Sequence, residues 1–358
     1  MNILITAPSL NVNKNVSGIS SVVNTIIDNN KANQYFHFTA GNEDDASGFL
    51  NRILSLSKSY LLLVYILLKK DIPLIHLNLP LNPRAIYRES ILLLIAKLLN
   101  KTILIHLHGG KYLLEKPSNI LLRKLISQMF KSAEIIICLS TIEKTAIEIL
   151  YGLKKVYVLQ NTIDDSYLKL NGNKKQDDIL NILFLGRLHE SKGIAVIINS
   201  IKFLLEKGHK QIRFMFCGIG PMLEDILKLT QIYPTHVKYL GIVSGEAKKE
   251  ILLKAQVFIL PSLYGEGLPM SLLEAMAAGL VPIVTNDGSM QSVVSHRKNG
   301  FIIKKNDSRL LSNQIEMLLD DSHYRNSISV KAKTFAMTNF SINSYIYSLN
   351  DFYKLSIS

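Results

Sequence analysis

Strand-like apolar runs alternate with helix-period segments from one end of this 358-residue chain to the other. Residues 2–6, 35–40, 73–78, 102–107, 134–138 and 155–159 read as strands, with helices near 18–30, 49–70, 83–99, 117–131 and 141–151 between them. Such alternation demands a parallel sheet wrapped by helices, because parallel neighbours need long crossovers. The pattern breaks at 164–180, DDSYLKLNGNKKQDDIL, a polar stretch that reads as a linker. It then restarts, with strands near 181–186, 212–217, 236–240, 257–260, 281–284 and 300–303. Helices near 192–207, 220–231, 245–255, 269–278 and 307–319 separate them, and a last helical stretch runs from about 322 to the end.

The expectation is an α/β chain of two Rossmann-like, doubly wound domains facing across a cleft. They cover 1–163 and 181–335, with a linker at 164–180 and a helix in 336–358 packing back on the first domain. With 48% hydrophobic and 19% charged residues the chain has material for two cores. Cys138 and Cys217 sit inside apolar runs, offer no disulfide framework or metal-ligand spacing, and suggest a reducing compartment. The start, MNILITAPSL, lacks the pattern of a signal peptide, and no apolar run nears the roughly 20 residues of a membrane span. A cytoplasmic location is expected.

The formal charge of +13 lies mostly in the first 163 residues. Such an excess attracts nucleic acid, anionic lipid or a phosphorylated substrate, and solubility alone also accounts for it. The positive residues are scattered, without an aromatic-and-basic stripe or zinc-finger spacing, which argues against nucleic acid.

Chemistry concentrates at 265–279, GEGLPMSLLEAMAAG, which sets Glu266 in a loop and Glu274 about two turns inside a helix. A helix mouth presents free N–H groups and a positive dipole end, suited to a phosphate or polyhydroxyl ligand. The same residues also read as an ordinary amphipathic helix with both carboxylates near solvent. Residues 181–193, NILFLGRLHESKG, place Arg187 and Lys192 at a strand-to-helix turn, where two cations suit a diphosphate. FMFCGIGP at 214–221 ends a strand in Gly218-x-Gly220, letting backbone approach a ligand or a neighbouring loop. His106 and His108 share one face of a strand that ends at Gly109-Gly110.

Taken together, GRLHESKG at 186–193, CGIGP at 217–221, LPSLYGEGLPMSLLEAMAAGLVPIV at 260–284 and LQNTID at 159–164 resemble the retaining glycosyltransferases of family 4 (glycosyl transferases group 1), which have the GT-B fold. The resemblance implies that Arg187 and Lys192 hold the diphosphate of a nucleotide-sugar donor and stabilise the leaving group. It gives Glu266 the donor-sugar hydroxyls, with the amides of Gly267 and Leu268, and gives Glu274 the ribose. Gly18, in NVSGISSVV, matches a glycine loop that opens the first helix toward the phosphates, where the family often has a glycine pair. His108 matches a histidine near the donor sugar; Gly109 replaces the acidic residue that often follows, so His108 is expected to bind or polarise.

The resemblance further implies metal-independent chemistry, no cofactor and front-face attack by the acceptor. No Asp-x-Asp stands in these motifs, and Asp44-Asp45 and Asp177-Asp178 read as surface charge. The expected function is transfer of a hexose or N-acetylhexosamine to a saccharide acceptor, polyprenyl-diphosphate-linked, in bacterial surface polysaccharide (O-antigen, capsule or exopolysaccharide). The apolar segment 49–70, with Arg52, Lys58, Lys69 and Lys70, reads as a peripheral contact with anionic membrane or as an ordinary packed helix. Three other readings stay open: a sugar-nucleotide epimerase of this fold, a non-catalytic sugar-nucleotide-binding subunit, and a nicotinamide dehydrogenase, which would lack its first-strand GxGxxG here.

Overall fold

The computed structural model describes residues 1–11, 17–40, 49–170 and 179–357, with backbone alone for 49–56. Asp44-Asp45, Asp177-Asp178, the Arg52 side chain and half of the expected linker lie outside them. The chain divides into two compact units, Met1–Asn161 with Asn343–Ser358, and Thr162–Ile342.

The first unit runs β1 (Asn2–Ala7), α1 (Gly18–Asn29), β2 (Gln34–Thr39), α2 (Phe49–Lys69), β3 (Leu74–Leu79), α3 (Pro83–Leu98), β4 (Thr102–Leu107), α4 (Ile120–Ser132), β5 (Ile135–Cys138), α5 (Thr141–Tyr151) and β6 (Val156–Val158). Its sheet is parallel in the order β2-β1-β3-β4-β5-β6. Strands β3 and β5 are buried along their whole length, and β5, IIIC, accordingly reads as a continuous apolar run rather than an alternating one. Local signals set the helix ends. The Asn82 side chain caps α3 just before Pro83, Ser140 caps α5, and left-handed Gly152 closes it.

The second unit runs α6 (Asp165–Leu168), β7 (Leu180–Leu185), α7 (Ile194–Glu206), β8 (Ile212–Cys217), α8 (Leu223–Ile232), β9 (Val237–Tyr239), α9 (Gly245–Lys254), β10 (Val257–Leu260), α10 (Met270–Ala277), β11 (Val281–Thr285), α11 (Met290–Val293), β12 (Phe301–Ile303), α12 (Ser308–Asp320) and α13 (Ser322–Asn339). Its sheet is again parallel, in the order β12-β11-β10-β7-β8-β9. Both sheets therefore reverse direction beside their first strand, between β1 and β3 and between β7 and β10. Ligands of doubly wound sheets bind at the carboxyl ends of the strands flanking such a reversal.

Sequence periodicity misplaces three features. The last helical stretch is two helices, α13 and α14 (Ile342–Ile357), the second lying in the first unit. Buried Phe340 breaks them apart, because its carbonyl leaves the helical ladder to accept from Thr162 Oγ1 at 2.7 Å and Ile163 N at 3.4 Å. A helical turn, α6, lies inside the stretch expected as linker, capped by the Asp164 side chain. The helix expected from 192 begins at Ile194, after a 3₁₀ turn at Glu190–Lys192.

α14 is tied to the first sheet by a buried polar chain. Asn30 Nδ2 donates to Tyr35 Oη at 2.8 Å, Tyr35 Oη donates to Tyr353 Oη at 3.4 Å, and Tyr353 Oη lies 2.8 Å from His76 Nδ1. Tyr35 donates to Tyr353, and the Tyr353 hydroxyl has no acceptor other than His76 Nδ1 among the described residues, so its hydrogen goes to His76. Tyr353→Phe strands the buried His76 acceptor and is expected to lower unfolding free energy by about 1–3 kcal/mol. A denaturant titration checks this as a lower midpoint at unchanged slope.

Candidate functional site

The reversal between β7 and β10 brings two loops side by side. The loop leaving β7 makes its 3₁₀ turn and then passes through Gly193 at φ 72°. A Cβ there would run into the Pro261 carbonyl, so only glycine lets this loop lie against the one leaving β10. Leu263 N donates to Ser191 O at 2.8 Å and fastens the two loops together.

Lys192 and Glu266 meet across this seam. Lys192 Nζ donates to Glu266 Oε1 at 2.5 Å, and the same oxygen accepts from Ser262 Oγ at 2.5 Å. Glu266 is buried, at 6% exposure, so the reading with both carboxylates near solvent is wrong for it. Its backbone N–H donates to Asp287 Oδ2 at 2.9 Å, and Lys305 Nζ sits 2.5 Å from Asp287 Oδ1. Ser289 N donates to the Gly267 carbonyl at 3.0 Å, so the turn after β11 holds the Glu266 loop from below. Glu266 Oε2 accepts no hydrogen bond among the described residues, and Arg187, at the exit of β7, is exposed with no ion-pair partner among them. The site thus offers one carboxylate oxygen, one partly engaged ammonium and one free guanidinium.

Pro269 occupies the N-cap position of α10 and makes no side-chain cap, leaving the helix mouth without one beside buried Leu268. Residues 265–269 stay outside the helix, so Glu274 is its fifth residue, little more than one turn inside rather than two. Glu274 is buried too, and Lys248 Nζ of α9 donates to its Oε1 at 2.7 Å. Burial pushes the Glu274 carboxyl above the usual range, and Lys248 pulls it partly back. Burial also opposes the Lys248 ammonium, but Glu274 and then Tyr167, whose ring centroid lies 5.2 Å from Nζ, outweigh it and raise its pKa.

Gly218 is required by packing, whatever ligand its motif meets. At φ 131° it lies so close to the Gly186 carbonyl that a Cβ would collide with it, and Gly218 N donates to Gly241 O at 2.8 Å. The glycine serves packing between the β7 and β8 loops, one of the two possibilities its motif leaves open. Sequence reading missed Ser262, Asp287, Lys305 and Lys248. Ser262 lies within the motif itself, but the other three are ordinary polar residues whose partners are up to 26 positions away.

His108 and Gly18 belong to the first unit. His108 follows β4, with its Nε2 2.7 Å from Asn78 Oδ1 of β3, and its ring centroid is 4.2 Å from that of His106. Burial pushes His108 down to about 3. Gly18 opens α1 with nothing within 4 Å of where a Cβ would stand, so packing does not demand glycine there. Among the described residues no three His, Cys, Asp or Glu side chains gather as a metal site.

Lys248→Met would leave Glu274 buried without its cation. The expected loss is about 3–5 kcal/mol near neutral pH. The lone carboxyl then takes up a proton in the folded state before it does when unfolded, so stability falls as pH rises through its raised folded pKa. The deficit should therefore shrink as pH drops toward the ordinary carboxylate value, as denaturation at several pH values would show.

Residues 169–335 match the family described as Glycosyl transferases group 1. The putative colanic acid biosynthesis glycosyltransferase WcaL of Escherichia coli K12 is 33% identical over 143 residues, 38% of this chain and 35% of that protein. An Escherichia coli UDP-Gal:alpha-D-GlcNAc-diphosphoundecaprenol alpha-1,3-galactosyltransferase is 26% identical over 254 residues, 64% of this chain and 65% of that protein. The chain thus spans less than two thirds of the length of these curated relatives. In structure, Anabaena HepE, crystallised with UDP and glucose, superposes with a TM-score of 0.75 at 18% identity, covering 98% of this chain and 99% of that one. The chain thus shares with the glycosyl transferases group 1 a match to their family model over 169–335, and with solved GT-B structures an architecture of two six-stranded parallel sheets.

Proposed function

We propose that this chain is a retaining, metal-independent glycosyltransferase. It moves a hexose or N-acetylhexosamine from a nucleotide sugar to a saccharide acceptor carried on a polyprenyl diphosphate, in the assembly of a bacterial surface polysaccharide. The observation that carries the reading is the Lys192–Glu266 pair at the β7/β10 reversal, inside the family's domain. Names of the relatives support the substrate classes: one is assigned to colanic acid, one transfers from UDP-Gal to a diphosphoundecaprenol-linked sugar, and HepE was crystallised with UDP and glucose.

Breaking the anomeric bond to a diphosphate builds positive charge on the sugar and negative charge on the leaving group. In this reading exposed Arg187 meets the diphosphate first. Lys192 then turns from Glu266 to the phosphate oxygens, and Glu266 is freed to accept from sugar hydroxyls. Fixed cations and the uncapped mouth of α10 stabilise the leaving group without having to reorganise. Glu274, kept charged by Lys248, accepts from the ribose. No chain nucleophile enters this scheme; the acceptor attacks the face that the diphosphate leaves.

Access to a polyprenyl-linked acceptor calls for a membrane surface, and the first unit supports one. α3 exposes Tyr87, Ile91, Leu94 and Leu98 at i, i+4, i+7 and i+11, a stripe facing water instead of the core. α2 exposes Leu61, Tyr65 and Leu68 on its own stripe, and Tyr60 Oη donates to Arg88 O at 2.9 Å, tying the two helices. Lys58, Lys69, Lys70 and Lys97 flank these stripes. No helix among the described residues is long and apolar enough to cross a membrane. Contact is therefore peripheral, apolar side chains entering the interface while lysines meet anionic headgroups.

Glu266→Ala and Lys192→Ala are each expected to lower turnover by about tenfold or more, roughly 1.4 kcal/mol of barrier. Near-normal rates in both variants would remove the site assignment. Vesicles with anionic lipid should sediment the protein, less so in high salt, and Leu94→Asp should weaken the binding. Sedimentation indifferent to lipid charge, salt and that substitution would refute the membrane contact.

A further inference from the structure

We propose that Asn78 is a positioning residue that locks His108 as a neutral imidazole with its hydrogen on Nε2, leaving Nδ1 as an acceptor for a ligand hydroxyl. The proposal rests on the reading above for the identity of that ligand, a sugar, but not for the state of the imidazole.

The argument begins at the other sheet reversal, between β1 and β3. Thr6 of β1, Asn78 of β3 and His108, just past β4, stand at the carboxyl ends of three adjacent strands. Asn78 is buried and held twice by Thr6: its backbone N–H donates to Thr6 Oγ1 at 2.9 Å and its side-chain Nδ2 donates to the Thr6 carbonyl at 2.9 Å. A carbonyl only accepts, so the amide nitrogen must face Thr6 and the amide oxygen must face away. That oxygen lies 2.7 Å from His108 Nε2. It too only accepts, and Nε2 must therefore carry the hydrogen.

A second hydrogen, on Nδ1, would make the ring a cation. The titratable groups around it are His106, its ring tilted by 40° at a centroid distance of 4.2 Å, and His76, one strand over, whose Nε2 lies 3.3 Å from His106 Nδ1. Both are fully buried, no carboxylate pairs with His108 among the described residues, and burial pushes His108 far below neutral pH. The ring is therefore neutral with a lone pair on Nδ1, which has no partner among the described residues.

Such a nitrogen repels phosphate and carbonyl oxygens and accepts from O–H. An acceptor nitrogen of this kind suits a ligand hydroxyl and not a phosphate. This tautomer also removes His108 as a general acid, since its one N–H is spent on Asn78. The polar chain that begins at Asn30 runs the other way, from Tyr353 through His76 to His106, whose buried Nε2 has no partner among the described residues.

Nitrogen NMR on the full chain, labelled at histidine and free of ligand, reads the tautomer directly; His108→Gln identifies the signal among nine histidines. The expected spectrum shows one neutral tautomer, hydrogen on Nε2, from about pH 8 to pH 6, where an ordinary histidine would titrate. Asn78→Asp sets a carboxylate beside Nε2 and should raise the His108 pKa by about one unit or more. An Nδ1–H ring, a mixture of tautomers or an imidazolium in the wild type between pH 8 and pH 6 would overturn the proposal, as would an Asn78→Asp ring whose pKa, followed below pH 6, equals that of the wild type. If that variant does not fold, the wild-type spectrum decides alone. A locked Nε2–H ring in a protein that binds no nucleotide sugar would sink the proposed function and leave this inference standing.

Discussion

Lys192 and Glu266 are 74 positions apart, and an ion pair between them exists only because a parallel sheet reverses direction between β7 and β10. Much of the surrounding detail follows from making two loops meet there. Gly193 lets one loop lie on the other, Leu263 N fastens them, and Ser262 and Asp287 hold the carboxylate's oxygen and backbone in place. A buried carboxylate needs such company, since leaving its charge unpaired would cost several kcal/mol. The same pairing keeps Lys192 at hand while Arg187 stays exposed, the arrangement on which the proposed grip of a nucleotide sugar rests.

The two sheets use one topology for different electrostatics. At the reversal of the second sheet stand charged groups: Arg187, Lys192, Glu266, and Asp287 with Lys305. At the reversal of the first stand neutral hydrogen-bonding groups: Thr6, Asn78, His106 and His108. Charge suits a diphosphate whose own charge grows during reaction, and neutral partners suit hydroxyls. In the second unit, Glu274 adds a further buried acceptor whose ionised form depends on Lys248.

Much of this was legible in the residues because both sheets are covered on both faces, so strands appear as unbroken apolar runs such as IIIC and VFIL. Helix starts with side-chain caps, such as Asn82-Pro83, were equally plain. What stayed hidden was decided by long-range contacts. The break at Phe340 comes from a carbonyl captured by Thr162, and Gly218 answers to the Gly186 carbonyl; neither partner is near in sequence. Lys248 and Asp287 look like solvated surface until the fold sets them against Glu274 and the Glu266 amide. The outward stripe on α3 was also invisible, because apolar period alone does not say which face meets the core.

The central claim is that the second unit grips a sugar by its diphosphate, and ligand-induced thermal stabilisation tests it most directly. A panel of nucleotide sugars, with the matching nucleosides as controls, is titrated against the protein and against Arg187→Ala. The account predicts that at least one nucleotide sugar raises the melting temperature with concentration, as mass action requires, while nucleosides do not and the variant responds only at higher concentration. A protein indifferent to every diphosphate-bearing donor, or a variant that responds like the wild type, would contradict it.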